Sequence, residues 1–227
     1  MSARDILMGA FLFSDPQMME KLLKISKTEL IPKGSILVES GERQTLLPIL
    51  LNGIFRGFLL DAEGRDITDC FACRRGDAVV GCNAPGEPSF ISIEAITDCE
   101  VLLLPMDTVL EQLNTDLTLM RLYNHYLWEA LSRHWEEKVL MHRCSAMQRY
   151  RWFLRNYPGM IDSVSNKHIA SFLGMTPVTL SRLRRQLREE VTEKRYAGDR
   201  GRTAPEKEGD FALWLSRFCC TQRMSFF

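Results

Sequence analysis

The chain has 227 residues, 45% of them hydrophobic, which is enough to fill the core of one large or two modest domains. Its seven cysteines are odd in number and lack the spacing of a disulfide scaffold, and no apolar run approaches the ~18 residues that span a bilayer. These features exclude a disulfide-stapled secreted domain and a membrane protein, and they indicate a cytoplasmic protein with reduced thiols.

The charge is unevenly distributed along the chain. Residues 1–120 carry 10 Lys and Arg against 18 Asp and Glu, whereas residues 121–227 carry 19 against 11. The formal net charge of zero therefore divides into −8 for the first part and +8 for the second. This asymmetry predicts an acidic N-terminal domain joined to a domain that meets a polyanion.

The N-terminal half is punctuated by glycine. Residues 6–13 are apolar and predict an amphipathic helix, since they lack a small-residue cleavage site. From residue 31 to 104, glycines recur at roughly ten-residue intervals. Between them lie short apolar or alternating runs at 35–39, 46–51, 54–60, 67–72, 90–96 and 100–104. With a hairpin loop at 61–64, these runs predict an antiparallel barrel or sandwich.

After Pro105 the period changes to that of a helix. Residues 106 to about 156 are predicted to be helical, with interruptions near 114–116 and 144–145. The central helix carries apolar residues at a spacing of three and four. The candidate dimerisation residues on it are Met120, Tyr123, Leu127, Ala130 and His134. A helix buried within its own monomer and a helix paired with a second copy would both explain this pattern.

Residues 164–185 have the pattern of a helix-turn-helix. Ser165 is suited to cap a first helix, and Gly174 permits the left-handed turn that a side chain would resist. Thr176-Pro177 then opens a second helix with a capping hydroxyl followed by proline at the first helical position. A helical hairpin without a DNA-binding role would not require these residues at these offsets.

The second helix has two different sides. Leu180, Leu183 and Leu187 share one face, whereas Val178, Arg182 and Arg185 point the opposite way. We therefore expect an apolar side for the helix's own domain and a basic side for double-stranded DNA. Because one recognition helix grips only one half-site, we favour a homodimer built on the central helix.

This order of barrel, long helix and helix-turn-helix resembles the cyclic-AMP receptor protein/FNR family of bacterial transcription regulators. The resemblance covers about residues 10–190, and it rests on the helix-turn-helix and on the turns Ile31-Pro-Lys-Gly34, Gly41-Glu42, Asn52-Gly53 and Gly76-Asp77. It implies an α+β fold with an N-terminal antiparallel β-roll of the cyclic-nucleotide-binding type, a long dimerisation helix and a C-terminal winged helix-turn-helix. The corresponding segments are 1–115, 116–143 and 144–191, followed by a tail of unknown role at 192–227, whose charged first part to 210 we expect to be disordered.

The resemblance also implies a function and site residues. In the family the barrel binds an effector, and the dimer reads a palindromic promoter site and contacts RNA polymerase. The main base-reading positions correspond to Pro177, Val178 and Arg182. Arg182 matches the family's common arginine, which forks onto guanine. Val178 replaces a frequent glutamate that accepts from cytosine, which valine cannot do; a contact with a thymine methyl is one alternative, so the family's familiar half-site is not assumed. The candidate phosphate contacts are Ser165, Lys167, Thr176, Thr179, Ser181 and Arg185.

The effector cassette departs from the cyclic-nucleotide members of the family. Those members hold the ribose with a glutamate and the cyclic phosphate with an arginine–serine pair, but residues 76–120 here contain no Lys, Arg or His. A buried phosphate needs positive charge, so we expect no response to cyclic AMP and predict no cofactor. A different, uncharged ligand would enter a pocket formed by Gly81, Cys82, Asn83, Ser89 and Phe90.

Two rival functions remain open at this stage. A redox or metal switch would use Cys70, Cys73 and Cys82, with Cys99 as a fourth thiol, but two residues three apart on a strand face opposite sides. We therefore predict no metal site. An enzyme is disfavoured because the sequence lacks a spaced His/Glu/Asp catalytic set.

An aromatic cluster lies between the long helix and the helix-turn-helix. We interpret Tyr150, Trp152 and Phe153 as core of that junction; a base-stacking platform is the alternative. The interleaved Arg149, Arg151 and Arg155 are then a solvated face or weak phosphate contacts.

Overall fold

The fold was analysed in a computed structural model, which describes residues 16–81 and 86–197. The predicted helix at 6–13, the pocket residues Cys82 and Asn83, and the tail beyond residue 197 lie outside the described residues.

The N-terminal half is a β-roll of two antiparallel sheets, preceded by helix α1 (Pro16–Ile25). Its strands are β1 (Lys27–Ile31), β2 (Ile36–Val38), β3 (Leu46–Asn52), β4 (Phe55–Leu60), β5 (Asp66–Ala72), β6 (Ser92–Ala95) and β7 (Cys99–Pro105). One sheet has the order β1-β7-β3 and the other β2-β6-β4-β5, so β5 lies at an edge. The predicted loop at 61–64 joins β4 to β5, and Gly64 has the positive φ of 75° that favours glycine there.

The three-stranded sheet is buried on both of its faces. Leu50 of β3 and Val101 of β7 point into the roll, where they pack with Phe55 of β4. The alternate residues Ile49 and Leu102 point outward, into a second cluster that includes Leu22, Leu113 and Leu119 from the helices. Two-sided burial explains why β3 and β7 are continuous apolar runs rather than alternating ones.

The C-terminal half is helical. Its helices are α2 (Met106–Thr115), α3 (Leu117–Arg143), α4 (Ala146–Asn156), α5 (Met160–Ser163), α6 (Asn166–Phe172) and α7 (Pro177–Ala197). Both predicted interruptions are confirmed, and each has a capping side chain. Asp116 accepts from the backbone N–H of Thr118 at 2.8 Å, and Ser145 forms a capping box with Gln148.

The aromatic junction is core, as interpreted from the sequence. Tyr150, Trp152 and Phe153 are buried, and the ring of Phe153 stacks on that of Tyr157 with centroids 5.2 Å apart. The ring of Phe172 from α6 lies 6.0 Å from that of Phe153. These rings cannot serve as a base-stacking platform because their faces are already occupied.

Four features differ from the sequence-based expectations. Strand β1 and helix α1 were not predicted. The wing is not found within residues 106–197, whose elements are all helices. Helix α7 instead continues to Ala197, past the predicted domain boundary at 191 and into the segment for which we expected disorder. Its charged end is rich in Glu, Lys and Arg, which are good helix formers, so low hydrophobicity did not end the helix.

Among the described helices, none is long and apolar enough to cross a membrane.

Candidate nucleic-acid interface

The helix-turn-helix is built by the capping residues that the sequence predicts. Ser165 accepts a hydrogen bond from the backbone N–H of His168 at 3.2 Å, at the start of α6. Gly174 lies in the turn with a φ of +59°. Thr176 Oγ1 accepts from the backbone N–H of Thr179 at 3.1 Å and so caps α7, whose first residue is Pro177. The proline costs no hydrogen bond there, because the first N–H groups of a helix have no partner within it.

The inner faces of the two helices are fully buried. Ile169, Ala170, Leu173 and Leu180 have no exposed surface, and Leu183 packs against the same cluster further along α7. Burial of each large apolar side chain stabilises the motif by about 1.5–3 kcal/mol. This packing fixes the rotation of α7 about its axis, and therefore which residues face outward.

The outer face of α7 is an exposed surface with two cations. A shallow depression there is lined by Pro177, Val178, Ser181, Arg182 and Arg185, and 61% of Val178 is exposed. Within the described part of the chain, Arg182 forms no hydrogen bond or ion pair. Arg185 has only an exposed partner one turn on, with its Nε 3.7 Å from Glu189 Oε1. The structure thus brings together the three base-reading candidates, Pro177, Val178 and Arg182. We call the five residues that line the depression the reading surface.

Two of the candidate phosphate contacts, Ser181 and Arg185, line the reading surface itself, and the others are not all free. The hydroxyls of Ser165 and Thr176 already accept a backbone N–H as caps. The hydroxyls of Thr176 and Thr179 also share a hydrogen bond of 3.0 Å, so one of these two hydroxyls already uses its proton within the motif. Thr179 is half-buried. Lys167 is exposed, and its Nζ lies 3.9 Å from Asp66 Oδ2 of the β-roll.

Sequence reasoning missed how the motif is attached to the rest of the chain. Arg149 Nη1 donates to the carbonyl oxygens of Met141 at 3.4 Å and Cys144 at 3.3 Å, at the end of α3. Its Nη2 donates to the carbonyl oxygen of Gly174 at 3.3 Å, in the turn of the motif. The side chain interpreted as a solvated face or a phosphate contact therefore joins the long helix to the turn. No local pattern signals this role.

The first helix of the motif also docks on the β-roll. The backbone N–H of Thr68, on edge strand β5, donates to Ser171 Oγ of α6 at 2.9 Å. Beside this bond the rings of Phe71 and Phe172 meet edge-on with centroids 5.1 Å apart. We call this contact between β5 and α6 the seam.

A buried ionic cluster lies on β4, next to the seam. Arg56 is 2% exposed, and its Nη2 donates to Asp66 Oδ2 at 2.9 Å and to Glu94 Oε2 at 2.6 Å. Burial alone would lower the pKa of Arg56, but its hydrogen bonds with the two carboxylates outweigh burial and hold the pKa above its usual value. The hydrogen bond from Arg56 in turn lowers the pKa of Asp66. Burial, aided by the charge of Arg56, lowers the pKa of His168 on α6.

The described members of the predicted ligand pocket are Gly81, Ser89 and Phe90, and they are neighbours, since the backbone N–H of Phe90 donates to the carbonyl oxygen of Gly81 at 2.7 Å. Gly81 is buried so tightly that an added Cβ would lie within 2.1 Å of Ser89 Oγ. Ser89 is buried, and its hydroxyl donates to the carbonyl of Ile91 at 2.6 Å. Phe90 is 66% exposed and so points away from the roll interior. The pocket stays a prediction, with Gly81 closely packed and the side chain of Phe90 exposed.

The cysteines form no metal site in the part of the chain that the structure describes. Cys70 packs with the interior of the roll and Cys73 with the junction cluster, so the two thiols lie on different sides as predicted. Burial raises the pKa of Cys70 to about 12 and also raises that of Cys73. Both groups are therefore protonated and weakly reactive at neutral pH.

Helix α3 exposes an apolar stripe that differs from the predicted dimerisation face. Met120 and Tyr123 pack partly against the cluster under the β-roll, Ala130 is half-buried and His134 is exposed. We give the name α3 stripe to four exposed apolar residues in the middle of the helix, Leu127, Trp128, Leu131 and Trp135. Only Leu127 belongs to both sets, because the side of α3 that the roll covers was not known from the sequence.

Comparison with known proteins gives a clear result for the fold. The chain matches no protein-family model, and no curated protein sequence matches it. FixK2 of Bradyrhizobium japonicum is similar in structure, with 23% identity, a TM-score of 0.65, and coverage of 73% of this chain and 86% of FixK2. The regulator CLP of Xanthomonas campestris gives 14% identity, a TM-score of 0.62, and coverage of 78% and 93%. A Eubacterium rectale protein described as a transcriptional regulator of the Crp/Fnr family gives 17% identity, a TM-score of 0.60, and coverage of 78% and 84%.

The chain has the Crp/Fnr fold. The predicted β-roll followed by a helix-turn-helix is thereby confirmed. At these identities the similarity establishes the Crp/Fnr fold alone, so the function has to be argued from the site.

Proposed function

We propose that this chain is a sequence-specific DNA-binding transcription regulator. The observation that carries the proposal is the reading surface: a capped helix whose outer face presents Arg182 and Arg185 to solvent. A helix of this kind fits the major groove, where an arginine fork matches O6 and N7 of guanine. The role is regulatory rather than enzymatic, in keeping with the similar structures whose names state a role.

The regulator acts as a homodimer through the α3 stripe. Trp128 is 69% exposed, and Leu131 and Trp135 follow it at three- and four-residue spacing on the same side of α3. Two such stripes facing each other would bury four aromatic rings, which dominate interface energetics. A two-fold dimer would present two reading surfaces to a palindromic promoter site. RNA polymerase is the expected further partner, and both partners imply a cytoplasmic location.

The activity is independent of cyclic AMP. The interior-facing residues of β4 and β6, such as Phe55 and Ile93, are apolar. Arg56 alternates to the other face of β4 and is held there by Asp66 and Glu94, so it is not free for a cyclic phosphate. An uncharged effector remains the alternative, unlike the doubly anionic c-di-GMP to which the similar protein CLP is described as responsive.

The test is selection of DNA from a random-sequence pool by the full-length chain, without added ligand. Wild type should enrich a palindrome. Arg182→Ala should bind that site at least about 30-fold more weakly, since each of the two half-sites loses an arginine–guanine fork worth about 1–3 kcal/mol. Arg65→Ala, at an exposed arginine of the β-roll, is the matched control and should bind like wild type.

Added cyclic AMP should leave the affinity unchanged. Sedimentation of the wild type should give a dimer, and Trp128→Ala should give a larger share of monomer. Absence of any enriched sequence, or enrichment that survives Arg182→Ala unchanged, would contradict the assignment of the reading surface.

A further inference from the structure

The reading surface contains one apolar side chain among cations. Val178 lies in the first turn of α7, one turn before Arg182, and both line the same depression. The first-turn residues of a recognition helix are those that reach base edges. A β-branched side chain in a helix keeps essentially one χ1 rotamer, so the two methyl groups of Val178 form a fixed surface.

In the major groove of DNA, thymine is the one base that suits the methyl groups of Val178. In the major groove the bases present hydrogen-bond donors and acceptors, and the only apolar group is the C5-methyl of thymine. Valine neither donates nor accepts, so against another base edge it would desolvate polar groups without replacing their hydrogen bonds.

Resting on the proposed DNA-binding function, we propose that Val178 selects a thymine in each half-site through the C5-methyl group of the base. Arg182 lies four residues further on, which is about 6 Å of helix rise, close to two base-pair steps of about 3.4 Å. The thymine contacted by Val178 and the guanine contacted by Arg182 therefore lie within about two base pairs of each other.

The test uses deoxyuridine, which differs from thymidine only in lacking the C5-methyl group. Each thymine of the selected palindrome is replaced by uracil in turn, and the affinity of the full-length chain is measured. One thymine per half-site should be sensitive, with binding weakened about four-fold, the effect of one buried methyl group. In Val178→Ala the same replacement should weaken binding less than about two-fold.

Two further variants make the test specific. Val80→Ala makes the same change at another exposed valine, on the β-roll, and should keep the full uracil effect. Val178→Glu supplies a carboxylate that accepts from cytosine N4, so pool selection should replace thymine by cytosine at that position. Because Val178 is exposed, these variants should unfold at the same urea concentration as wild type.

The outcomes separate this inference from the function on which it rests. If wild type selects a palindrome but no thymine is sensitive to uracil, or if Val178→Ala retains the full effect, the thymine assignment is wrong and DNA binding stands. If the pool yields no site, the proposed function fails and the thymine assignment fails with it.

Discussion

Two arginines in this protein have opposite surroundings, and the comparison shows what decides the role of a cation. Arg56 on the β-roll is buried and held by Asp66, Glu94 and the hydroxyl of Thr68. Arg182 on α7 is exposed and, among the described residues, has no carboxylate partner. The guanidinium of Arg56 is held through both Nη atoms by groups of the fold, although its buried Nε has no hydrogen-bond partner among the described residues, so the loss of Arg56 affects stability. Arg182 keeps its donors for an outside anion, so its loss affects binding.

Arg56→Ala is the variant for which we expect the largest loss of stability. It leaves two carboxylates partly buried without their cation, which costs about 3–5 kcal/mol of unfolding free energy for a buried pair. Urea unfolding at a fixed chain concentration measures the change. Arg182→Ala in the same assay should stay within about 0.5 kcal/mol of wild type. Equal losses for the two variants would mean that the outer face of α7 also has a structural role.

The carboxyl of Glu137 is buried like those around Arg56, but burial outweighs the charge of the nearby Arg133 in setting its pKa. Glu137 of α3 accepts from the hydroxyl of Tyr157 at 3.2 Å, and burial raises the pKa of Glu137 to about 7. Because the folded-state pKa is raised from its usual 4.5, its contribution to stability is complete below that value and is lost as the pH rises through 7.

Glu137→Gln removes the titration but keeps an acceptor for Tyr157. We expect the variant to match wild type near pH 5 and to exceed its unfolding free energy at pH 8 by about 1–3 kcal/mol. Urea unfolding at the two pH values is the measurement, and Glu129→Gln, at an exposed position of α3, is the control. An unchanged pH dependence in Glu137→Gln would show that Glu137 is not the group responsible.

The smallest expected effect is at the seam. Ser171→Ala removes the acceptor of the Thr68 N–H, which costs about 0.5–1.5 kcal/mol for a lost hydrogen bond. Hydrogen exchange of the Thr68 amide should become up to about tenfold faster, while Ser163→Ala, at an exposed serine of α5, should leave it unchanged. Unaltered exchange in Ser171→Ala would mean that α6 does not protect this strand.

The sequence correctly predicted the elements that depend on short-range interactions along the chain. Six strands, the two helix interruptions and the caps at Ser165 and Thr176 all follow from residues close together in sequence. Strand β1 was missed because it is stabilised by pairing with β7, far away in sequence, with Lys27 opposite Leu103. The wing was expected from the family resemblance and not from any strand pattern in residues 144–191, where the helical period continues.

The sequence predicted the reading surface of α7, but it did not predict which side of α3 is covered or where the seam lies. Helical periodicity located the reading surface, because the leucines opposite Val178 and Arg182 fix the rotation of α7. Met120 and Tyr123 of the predicted dimerisation face lie partly against the β-roll, since periodicity cannot tell which apolar side of α3 the roll covers. The seam had no signal at all, because Ser171 and Thr68 are 103 residues apart.

The edge position of β5 has a consequence for how far the two halves of the protein can separate. An uncovered edge strand offers unpaired backbone groups as a template for another chain. Here α6 covers that edge, with Ser171 accepting from the Thr68 N–H. Any motion that moved the helix-turn-helix away from the β-roll would uncover this strand. Resistance to aggregation therefore favours a helix-turn-helix that stays in contact with the roll.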